Sequence, residues 1–402
     1  MAGFRLIGTA TTLEAVESLR ASWQNMAIGD VDADIDTFIA AIRASDGGAE
    51  PHVVHLRRED GEVARDLFAV ARLEQATMPL RLGYRALGAV RVSALVSSFG
   101  GLLGVEDDAD AQALLAELRR PLAQGEADLL ILRNIEPGRP LHEAACGSLL
   151  SHRQKAAHRW TAPVPGSLNE FLKSRSAKTR QKLRWEERVF REAYGERLKM
   201  RVFSRPEDLD RICRDAEAVA ALTYQRALGV GFRNKPAERA LIEFGLKEGR
   251  HRTWMLYLDE RPVAFWSGLG YRGTFSVTAL GFDPAHARHS VGRFAMFRMV
   301  EDLCADPAVT ELDLGPGDAD YKMAFARPAR LEGTVLLAAP RLRPILLIAA
   351  LSGLAAANRL GRKFLEEKGW RQRLKKLWRL RLAGGGAWTA SGKSAAPDEA
   401  RP

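Results

Sequence analysis

The chain has 402 residues, of which 46% are hydrophobic, and this length allows two or three ordinary domains with substantial cores. Its formal net charge is +10, and its three cysteines are far apart without a CxxC spacing, which indicates neither a disulfide framework nor a metal site. The sequence shows no signal-peptide pattern and no run of about 18 apolar residues, so we expect a cytoplasmic protein without spanning helices.

The first part of the chain reads as helix, hairpin, strand, helix and strand. Residues 12–25 have a helical pattern, and residues 51–74 are typical of two strands around a turn at Glu59-Asp60-Gly61. The segments RVSALVSSFGGLLG and ADLLILRNI indicate buried strands, with the helix DADAQALLAELRRPL between them.

The same order recurs further along the chain. Residues 207–227 and 236–248 are predicted helices, and a hairpin follows that turns at Asp259-Glu260-Arg261. The strand GTFSVTALGF, the helix VGRFAMFRMVEDLCA and the strand VTELDLG complete the series. This recurrence predicts an α/β protein with mixed sheets, built from two tandem modules at residues 1–162 and 163–330. We place a Pro/Gly connector between them, followed by one charged helix from Leu168 to Tyr194.

The last part of the chain is basic. Residues 331–382 are predicted to form a basic amphipathic helical extension, and residues 383–402 a disordered tail. Between residues 341 and 382 there are twelve Lys or Arg and two Glu, so this segment carries the whole net charge. Its apolar run Ile345–Ala357 is shorter than the roughly 20 residues of a spanning helix. Two interpretations remain: a peripheral helix on an anionic membrane surface, or a helix docked on the second module with its basic part solvated.

One strand-to-helix junction in the second module suits an anionic ligand. The strand FSVTAL leads through Gly281 to a helix for which Ser290 is the predicted N-cap. The amides of Val291, Gly292 and Arg293 would then lack partners within the helix and could bind a pyrophosphate, with Arg288 and His289 beside them. The alternative is an ordinary capped helix with a surface arginine.

The arrangement of hairpin, strand, basic glycine-containing turn, helix and strand resembles the acyl-CoA-binding core of the GNAT acetyltransferase superfamily over residues 160–327. The segments SRSAKTRQKLRWEERVF, GFDPAHARHSVGRFAMFRMVEDLC and LDLGPGDADYKMAF are more similar to the cellulose-biosynthesis-type (CelD-like) acetyltransferases. That family is similar in turn to the Fem-type peptidyltransferases with paired GNAT modules. The resemblance implies two GNAT-like modules and an acyl-CoA cofactor, most simply acetyl-CoA, bound by Ala279, Leu280 and residues 288–293.

The two junctions depart from the superfamily's Arg/Gln-x-x-Gly-x-Gly/Ala loop. In the second module, Ala287 takes the basic position and Ser290 that of the first glycine. The corresponding segment of the first module, FGGLLGVEDDAD, is acidic and would repel a pyrophosphate. We therefore predict that the first module binds no cofactor and has a structural or substrate-shaping role.

The motif GPGDADYK follows the last predicted strand. In open α/β sheets ligands bind beyond the carboxyl ends of strands, so this loop is expected to face the thioester. Acyl transfer needs a base for the nucleophile, a group that stabilises the oxyanion and an acid for the departing thiolate; Asp318 as base, Tyr321 as acid and Lys322 as charge stabiliser are predicted to fill these roles. The alternative is structural: Asp318 caps the turn, Tyr321 packs and Lys322 is solvated. On the charged helix, Ser176, Arg180 and Arg184 match the family motif and are predicted to contact an anionic acceptor or the cofactor's phosphates; the alternative is a solvated helix face. Trp266 is included with them, although packing is the default interpretation.

These features predict an enzyme that transfers an acyl group, acetyl in the first place, to an amine or hydroxyl of a small-molecule or saccharide acceptor. The resemblance suggests a place in polysaccharide or cell-envelope metabolism. Two alternatives stay open: a Fem-type aminoacyltransferase that uses aminoacyl-tRNA, and a non-catalytic membrane-associated scaffold. No DNA partner is expected.

Overall fold

The computed structural model describes residues 3–59, 64–83, 85–223, 226 and 231–367, without the side chains of residues 288, 289 and 362–367. The strands in this part of the chain are β1 Phe4–Ala10, β2 Ala49–Arg58, β3 Arg65–Leu82, β4 Arg85–Leu103, β5 Leu129–Ile135, β6 Ser151–Arg153, β7 Ala157–Pro163, β8 Leu198–Phe203, β9 His251–Leu258, β10 Arg261–Tyr271, β11 Thr274–Phe282, β12 Glu311–Pro316 and β13 Arg327–Ala338. The α-helices are α1 Leu13–Ser18, α2 Arg20–Gln24, α3 Ile35–Ala44, α4 Asp108–Leu118, α5 Arg120–Gln124, α6 Pro140–Cys146, α7 Leu168–Lys173, α8 Ala177–Tyr194, α9 Leu209–Ala221, α10 Pro236–Lys247, α11 Val291–Cys304, α12 Asp320–Phe325 and α13 Leu342–Glu367.

All these strands belong to one mixed sheet. Its order is β1-β2-β3-β4-β5-β13-β7-β12-β11-β10-β9-β8, with β6 paired to β13 beside this path. The pairs β4/β5 and β11/β12 are parallel, and the other pairs are antiparallel. Each half of the sheet thus contains an antiparallel run that ends in one parallel pair, which is the repeated α/β architecture expected from the sequence.

The two halves exchange strands at the centre of the sheet. Strand β7 pairs with β12 of the second half, although the sequence assigned residues 157–162 to the first module and treated the following residues as a connector. Strand β13 pairs with β7 through residues 327–332 and with β5 of the first half through residues 333–338. The helical extension expected from residue 331 therefore begins as a strand. Alternate residues of a strand lie on the same face of the sheet. Trp160 and Ala162 of β7 therefore both enter the second-half core, and Val335 and Leu337 of β13 both enter the first-half core.

Helices cover both faces of the sheet. In the second half, α11 packs on one face, and α9 and α10 pack on the other with residues such as Ile212, Leu246 and Phe265. In the first half, α4 and α6 cover one face, and α1 to α3 cover the other around Trp23 and Phe38. The parallel pair β4/β5 is covered on both sides, because Leu347 and Ile348 of α13 pack on the face opposite to α4.

The charged helix expected from Leu168 to Tyr194 is interrupted. Helix α7 ends at Lys173, and α8 begins at Ala177 after Ser176, whose hydroxyl accepts a hydrogen bond from the Thr179 amide at 3.2 Å. A serine that caps a new helix competes with continuation of the previous one. The break produces a corner between α7 and α8.

The final described helix, α13, docks on the first half of the sheet. Leu347 and Ile348 are buried against Met78 and Val92 of the β3–β4 hairpin. The helix thus docks on the first half, whereas the docked interpretation expected the second module; contact with a membrane surface stays a prediction. The helix contains a 20-residue stretch, Leu342–Gly361, with a mean hydropathy of 1.4, which is long and apolar enough to cross a membrane by length and composition. Residues 368–402, which include the expected disordered tail, lie outside the described residues.

Candidate functional site

A wedge opens between the two parallel strands of the second half. Strands β11 and β12 pair only at Thr274 with Glu311, Phe275 with Leu312 and Ser276 with Asp313. Just beyond this point the register of β10 and β11 shifts, because Gly268 pairs with Val277 while its neighbour Ser267 pairs with Ala279. Such a bulge bends its strand. Beyond Ser276 no β12 residue pairs with the described part of β11.

Two predicted cofactor residues lie along this open edge. Ala279 and Leu280 are half-buried on β11, where they pair with Ser267 and Trp266 of β10 on the other side. The backbone groups that face away from β10 have lost their ladder partners in β12. An open strand edge of this kind can hydrogen-bond an extended ligand that carries amide groups.

The turn at Ser290 differs from the sequence prediction. Helix α11 does begin at Val291, but Ser290 has a left-handed backbone with φ 56° and ψ 37°, and its side chain makes no capping hydrogen bond. Ser290 is thus the N-cap residue by position, as predicted, but its side chain does not cap the helix. The Arg293 amide donates to the Ser290 carbonyl at 2.9 Å, so it is not one of the open amides expected there. The backbone amides of Val291 and Gly292, in the first turn, have no acceptor within their own helix.

Gly292 permits a close contact between helix and sheet. A Cβ atom at this position would lie 3.1 Å from Cδ1 of Phe282 on β11. On its other side, Nε1 of Trp266 donates a hydrogen bond to the Gly292 carbonyl at 3.0 Å. Trp266 is buried in the core, so the structure shows a packing role for it, and its predicted substrate contact stays a prediction. The indole fixes the start of α11 to β10.

Arg293 already has an anionic partner. Its Nη1 lies 2.9 Å from Oε1 of Glu186 on α8. Burial raises the pKa of the Glu186 carboxyl, and its Oε2 is a buried atom without a hydrogen-bond partner among the described residues. The arginine expected to meet a pyrophosphate is thus neutralised in this structure. The side chains of the two other predicted cations, Arg288 and His289, lie outside the described residues.

The loop after β12 is held by its glycines and by Lys322. Gly315 and Gly317 have φ values of 72° and 95°, which only glycine adopts readily. The Lys322 ammonium donates to the carbonyls of Gly315 at 2.9 Å and Pro316 at 2.8 Å. The Lys322 residue is only 5% exposed, and burial lowers its pKa to about 8. Lys322 is therefore buried in the loop, in contrast to the solvated lysine of the structural alternative.

Asp318 and Tyr321 lie on the same loop and on the helix that follows it. Asp318 is exposed and accepts a hydrogen bond from Nε1 of Trp160 at 3.2 Å. Tyr321 packs edge-to-face on Trp266, with ring centroids 5.4 Å apart. Because Trp266 also binds Gly292, one indole contacts the elements on both sides of the wedge. The structure thereby brings the predicted catalytic loop and the predicted cofactor turn together.

The three predicted substrate residues on α8 gather at its corner with α7. Ser176 caps α8, and Nη1 of Arg180 donates to the Arg175 carbonyl at 2.7 Å. Arg184 contacts Oδ1 of Asn169 at 3.4 Å. These bonds hold the corner, and a role in substrate binding stays a prediction.

The corner adjoins the helix that follows the 315–322 loop. The rings of Phe171 on α7 and Phe325 on α12 lie 6.4 Å apart, and Arg327 donates to the Ser174 carbonyl at 3.1 Å. The corner is also rich in cations, and burial lowers the pKa of the Arg175 guanidinium there. An anionic group near the loop would therefore meet a basic surface.

A buried ionic cluster at the strand exchange was missed by sequence reasoning. Arg159 of β7 contacts Asp313 of β12, Glu332 of β13 and Asp30 of the first half. Nearby, burial and then the Asp30 charge raise the pKa of Asp32 to about 6. Charged residues at alternate positions of otherwise apolar strands, as in ELDL, could have indicated buried charges. The sequence does not show which of these charges meet.

The first half contains a similar wedge with different chemistry. Strands β4 and β5 pair over only three residues, and a cavity of about 340 Å³ opens beyond them, with Gly101, Arg133 and His142 among its lining residues. The helix at this junction, α4, is capped by Asp107, and the carboxylates there pair with arginines of β2 and β3. The start of α4 is thus occupied by the protein's own carboxylates, and the absence of a cofactor from this half stays a prediction.

Comparison with known proteins defines the fold class. Residues 177–323 match the family described as acetyltransferase (GNAT) domain. The chain is similar to the structure of FemX at 10% identity, over 83% of this chain and 98% of that chain, with a TM-score of 0.52. It is also similar to a tandem GNAT protein from the clavulanic acid biosynthesis pathway at 12% identity, over 84% and 99% of the two chains, with a TM-score of 0.46. No curated protein matches the sequence. The fold is therefore GNAT-like, and the closer resemblance to the CelD-like family stays a prediction.

Proposed function

We propose that the second half is an acyltransferase that moves an acyl group, acetyl in the first place, from CoA to an amine or hydroxyl acceptor. The observation that carries this proposal is the wedge between β11 and β12, with a helix start at one side and the 315–322 loop at the other. The match of residues 177–323 to the acetyltransferase domain family supports the same reaction class.

The residues of the wedge fit an acyl-CoA. The open edge of β11 at Ala279 and Leu280 offers backbone groups for the amides of the pantetheine arm. The first turn of α11, at Val291 and Gly292, offers amides and the positive end of a helix dipole for the pyrophosphate. The ion pair between Arg293 and Glu186 must break before the Arg293 guanidinium can contact the pyrophosphate. When bound, the cofactor supplies an activated thioester.

The loop after β12 supplies the protein groups for transfer. Asp318 is the exposed carboxylate that takes the proton from the acceptor amine or hydroxyl. The Tyr321 hydroxyl is the acid that gives a proton to the departing thiolate. Lys322 holds the Gly315 and Pro316 carbonyls, and its positive charge stabilises negative charge that develops near the loop.

The acceptor is proposed to be a small molecule or saccharide with an anionic group. The basic corner with Ser176, Arg180 and Arg184 adjoins the helix that follows the 315–322 loop through Phe171 and Phe325. Cell-envelope or polysaccharide metabolism is the setting that the CelD-like resemblance suggests.

The cofactor site is tested by calorimetry with acetyl-CoA. Wild-type protein should give binding heat, and Gly292→Asp should give none, because the carboxylate adds bulk and negative charge at the helix start. Gly166→Asp is the matched control, since its added side chain meets open space in the connector. If circular dichroism shows that G292D is unfolded, Gly292→Ala takes its place and should weaken binding. Equal affinities of folded variants would rule out this site.

A second candidate is a Fem-type aminoacyltransferase that uses aminoacyl-tRNA. It is favoured by the neutralisation of Arg293, which removes a cation from the cofactor turn, and by the basic surface of α8. Filter binding with aminoacyl-tRNA distinguishes the two: retention of tRNA without acetyl-CoA binding would favour the second candidate. If neither ligand binds, the scaffold hypothesis remains.

A further inference from the structure

Helix α13 is attached to the protein along one side only. Beyond its buried contacts through Leu347 and Ile348, Arg343 donates to the Arg91 carbonyl at 2.9 Å near the start of the helix. Near its other end, Asn358 donates to the Arg81 carbonyl at 3.0 Å and accepts from the Gly83 amide at 2.5 Å. The helix therefore runs along the β3–β4 hairpin from its middle toward its tip.

The opposite side of α13 is exposed and apolar. Its residues recur at helical spacing on one stripe: Leu342, Leu346, Ala349, Ala350, Gly353, Ala357 and Leu360. Leu346 is 59% exposed and Leu360 is 71% exposed. The stripe contains no charged residue, although a helix face that only meets water is normally polar.

The tip of the β3–β4 hairpin extends this surface. Leu82 and Leu87 are 46% and 54% exposed on either side of the turn. The two hydrogen bonds of Asn358 place the tip beside the end of the helix that carries Leu360. Exposed leucines on two separate elements therefore lie at one edge of the molecule. We name this surface, made of the α13 stripe with Leu82 and Leu87, the apolar edge.

Cations accompany the apolar edge. Arg81 and Arg85 flank the hairpin turn, and Arg359 precedes Leu360 on the helix; all three are exposed. The segment from residue 341 to 382 has a net charge of +10 in total. Apolar side chains surrounded by Lys and Arg are the combination that binds anionic lipid surfaces.

We propose that the apolar edge lies in the interface of an anionic membrane, with α13 parallel to the surface and the hairpin tip inserted beside it. The docked inner face of α13 favours a position on the membrane surface. Insertion of the helix into a bilayer would remove Leu347 and Ile348 from Met78 and Val92 and expose these core residues. This inference concerns attachment and is independent of the acyl-transfer proposal.

The test is sedimentation of full-length protein with vesicles of phosphatidylcholine and phosphatidylglycerol at low salt. Wild-type protein should sediment with these vesicles, should remain soluble with phosphatidylcholine alone, and should be released by high salt. The Leu346→Glu and Leu360→Glu substitutions should each weaken partitioning about tenfold or more, because they remove an inserting side chain and add repulsion from the headgroups. Leu87→Glu should weaken it as well.

Leu222→Glu is the matched control, because Leu222 is 55% exposed, like Leu87, but lies at the end of α9 in the second half. It should sediment as wild type does. The proposal is overturned if wild-type protein does not sediment with the anionic vesicles, or if the L346E, L360E and L87E variants sediment as wild type does. Resistance to alkaline extraction would indicate a spanning helix instead. A dimer in light scattering that L346E dissociates, without any change in vesicle binding, would assign the edge to a second copy of the chain.

Discussion

The Nε of Arg159 donates a hydrogen bond to Oδ2 of Asp313 at 2.7 Å and so joins two strands that lie more than 150 residues apart in the chain. The same guanidinium contacts Glu332 at 3.3 Å and Asp30 at 3.1 Å. All four residues are buried. One cation therefore bridges carboxylates from β12, from β13 and from the first half, at the place where the halves exchange strands.

Arg159→Met should strongly destabilise the protein, since it removes the guanidinium that Asp313 and Asp30 share and leaves Glu332 with Arg330 alone. Breaking a buried ion pair from one side costs about 3–5 kcal/mol, and urea denaturation should show a loss of this size. The control is Arg197→Met, which breaks the exposed pair with Asp259 and should cost little stability. Equal, small losses in both variants would contradict a structural role for the cluster.

Glu186→Gln should strengthen acetyl-CoA binding. The substitution releases Arg293 from its carboxylate partner and removes a negative charge beside the proposed pyrophosphate site. We expect the Kd to fall about threefold to tenfold, which corresponds to roughly 1 kcal/mol.

Glu187→Gln is the control for E186Q, because it removes the same charge from the neighbouring position of α8, where Glu187 pairs with Arg298 and Arg191. Its Kd should stay near that of wild type. An unchanged Kd in E186Q, measured by the same calorimetry, would show that Arg293 does not contact the cofactor.

Tyr321→Phe and Asp318→Asn should lower turnover by roughly 10²-fold or more with little change in melting temperature, as for the loss of one acid or base. Both replacements keep the shape of the side chain, so the contact of Tyr321 with Trp266 and the bond from Trp160 can persist. Asp320→Asn is the control, since Asp320 is an exposed neighbour in the first turn of α12. A lower melting temperature with turnover preserved per folded molecule would establish structural roles for Tyr321 and Asp318.

The stability contributed by Lys322 should depend on pH. Its pKa in the folded protein, about 8, lies below its ordinary value of 10.5, because burial disfavours the charged ammonium. Between these values the unfolded chain binds more protons, so the free energy of unfolding should rise with pH in this window, by up to about 3 kcal/mol.

Lys322→Met removes this titration, and the wild type should therefore gain stability relative to the variant as the pH rises from 8 to 10.5. Denaturant titrations at several pH values measure the difference. Lys199→Met, at an exposed lysine, should follow wild type. Parallel stability curves for wild type and K322M would mean that Lys322 has an ordinary pKa in the folded protein.

The local elements of the fold were predictable because their signals lie within short segments. The turn between β9 and β10 is an example: Asp259 and Glu260 both have positive φ, at 49° and 61°, and the hairpin forms where the sequence indicates it. The exchange of β7 and β13 was not predictable in this way. Alternating apolar residues mark 157–163 as a possible strand, but they do not specify a partner more than 150 residues away.

The site was predictable in position and less so in its contacts. The glycines at 315 and 317 indicate a turn at a strand end, and the structure places that turn beside the helix start at 291 through Trp266. The left-handed conformation of Ser290 and the pair between Arg293 and Glu186 depend on how α8 packs on α11. Such contacts between separate helices leave no pattern in either segment alone.

The strand exchange has a consequence for biosynthesis. Strand β5 pairs with β4 on one edge and with residues 333–338 of β13 on the other. The ribosome makes residues 333–338 only after the whole second half. During translation β5 would keep an open edge, and unpaired strand edges favour aggregation. A fragment that ends near residue 162 would keep that edge permanently, and a fragment that begins at residue 163 would lack the strand that lies beside β12. The two halves are therefore a single unit of synthesis and expression, although each repeats the same architecture.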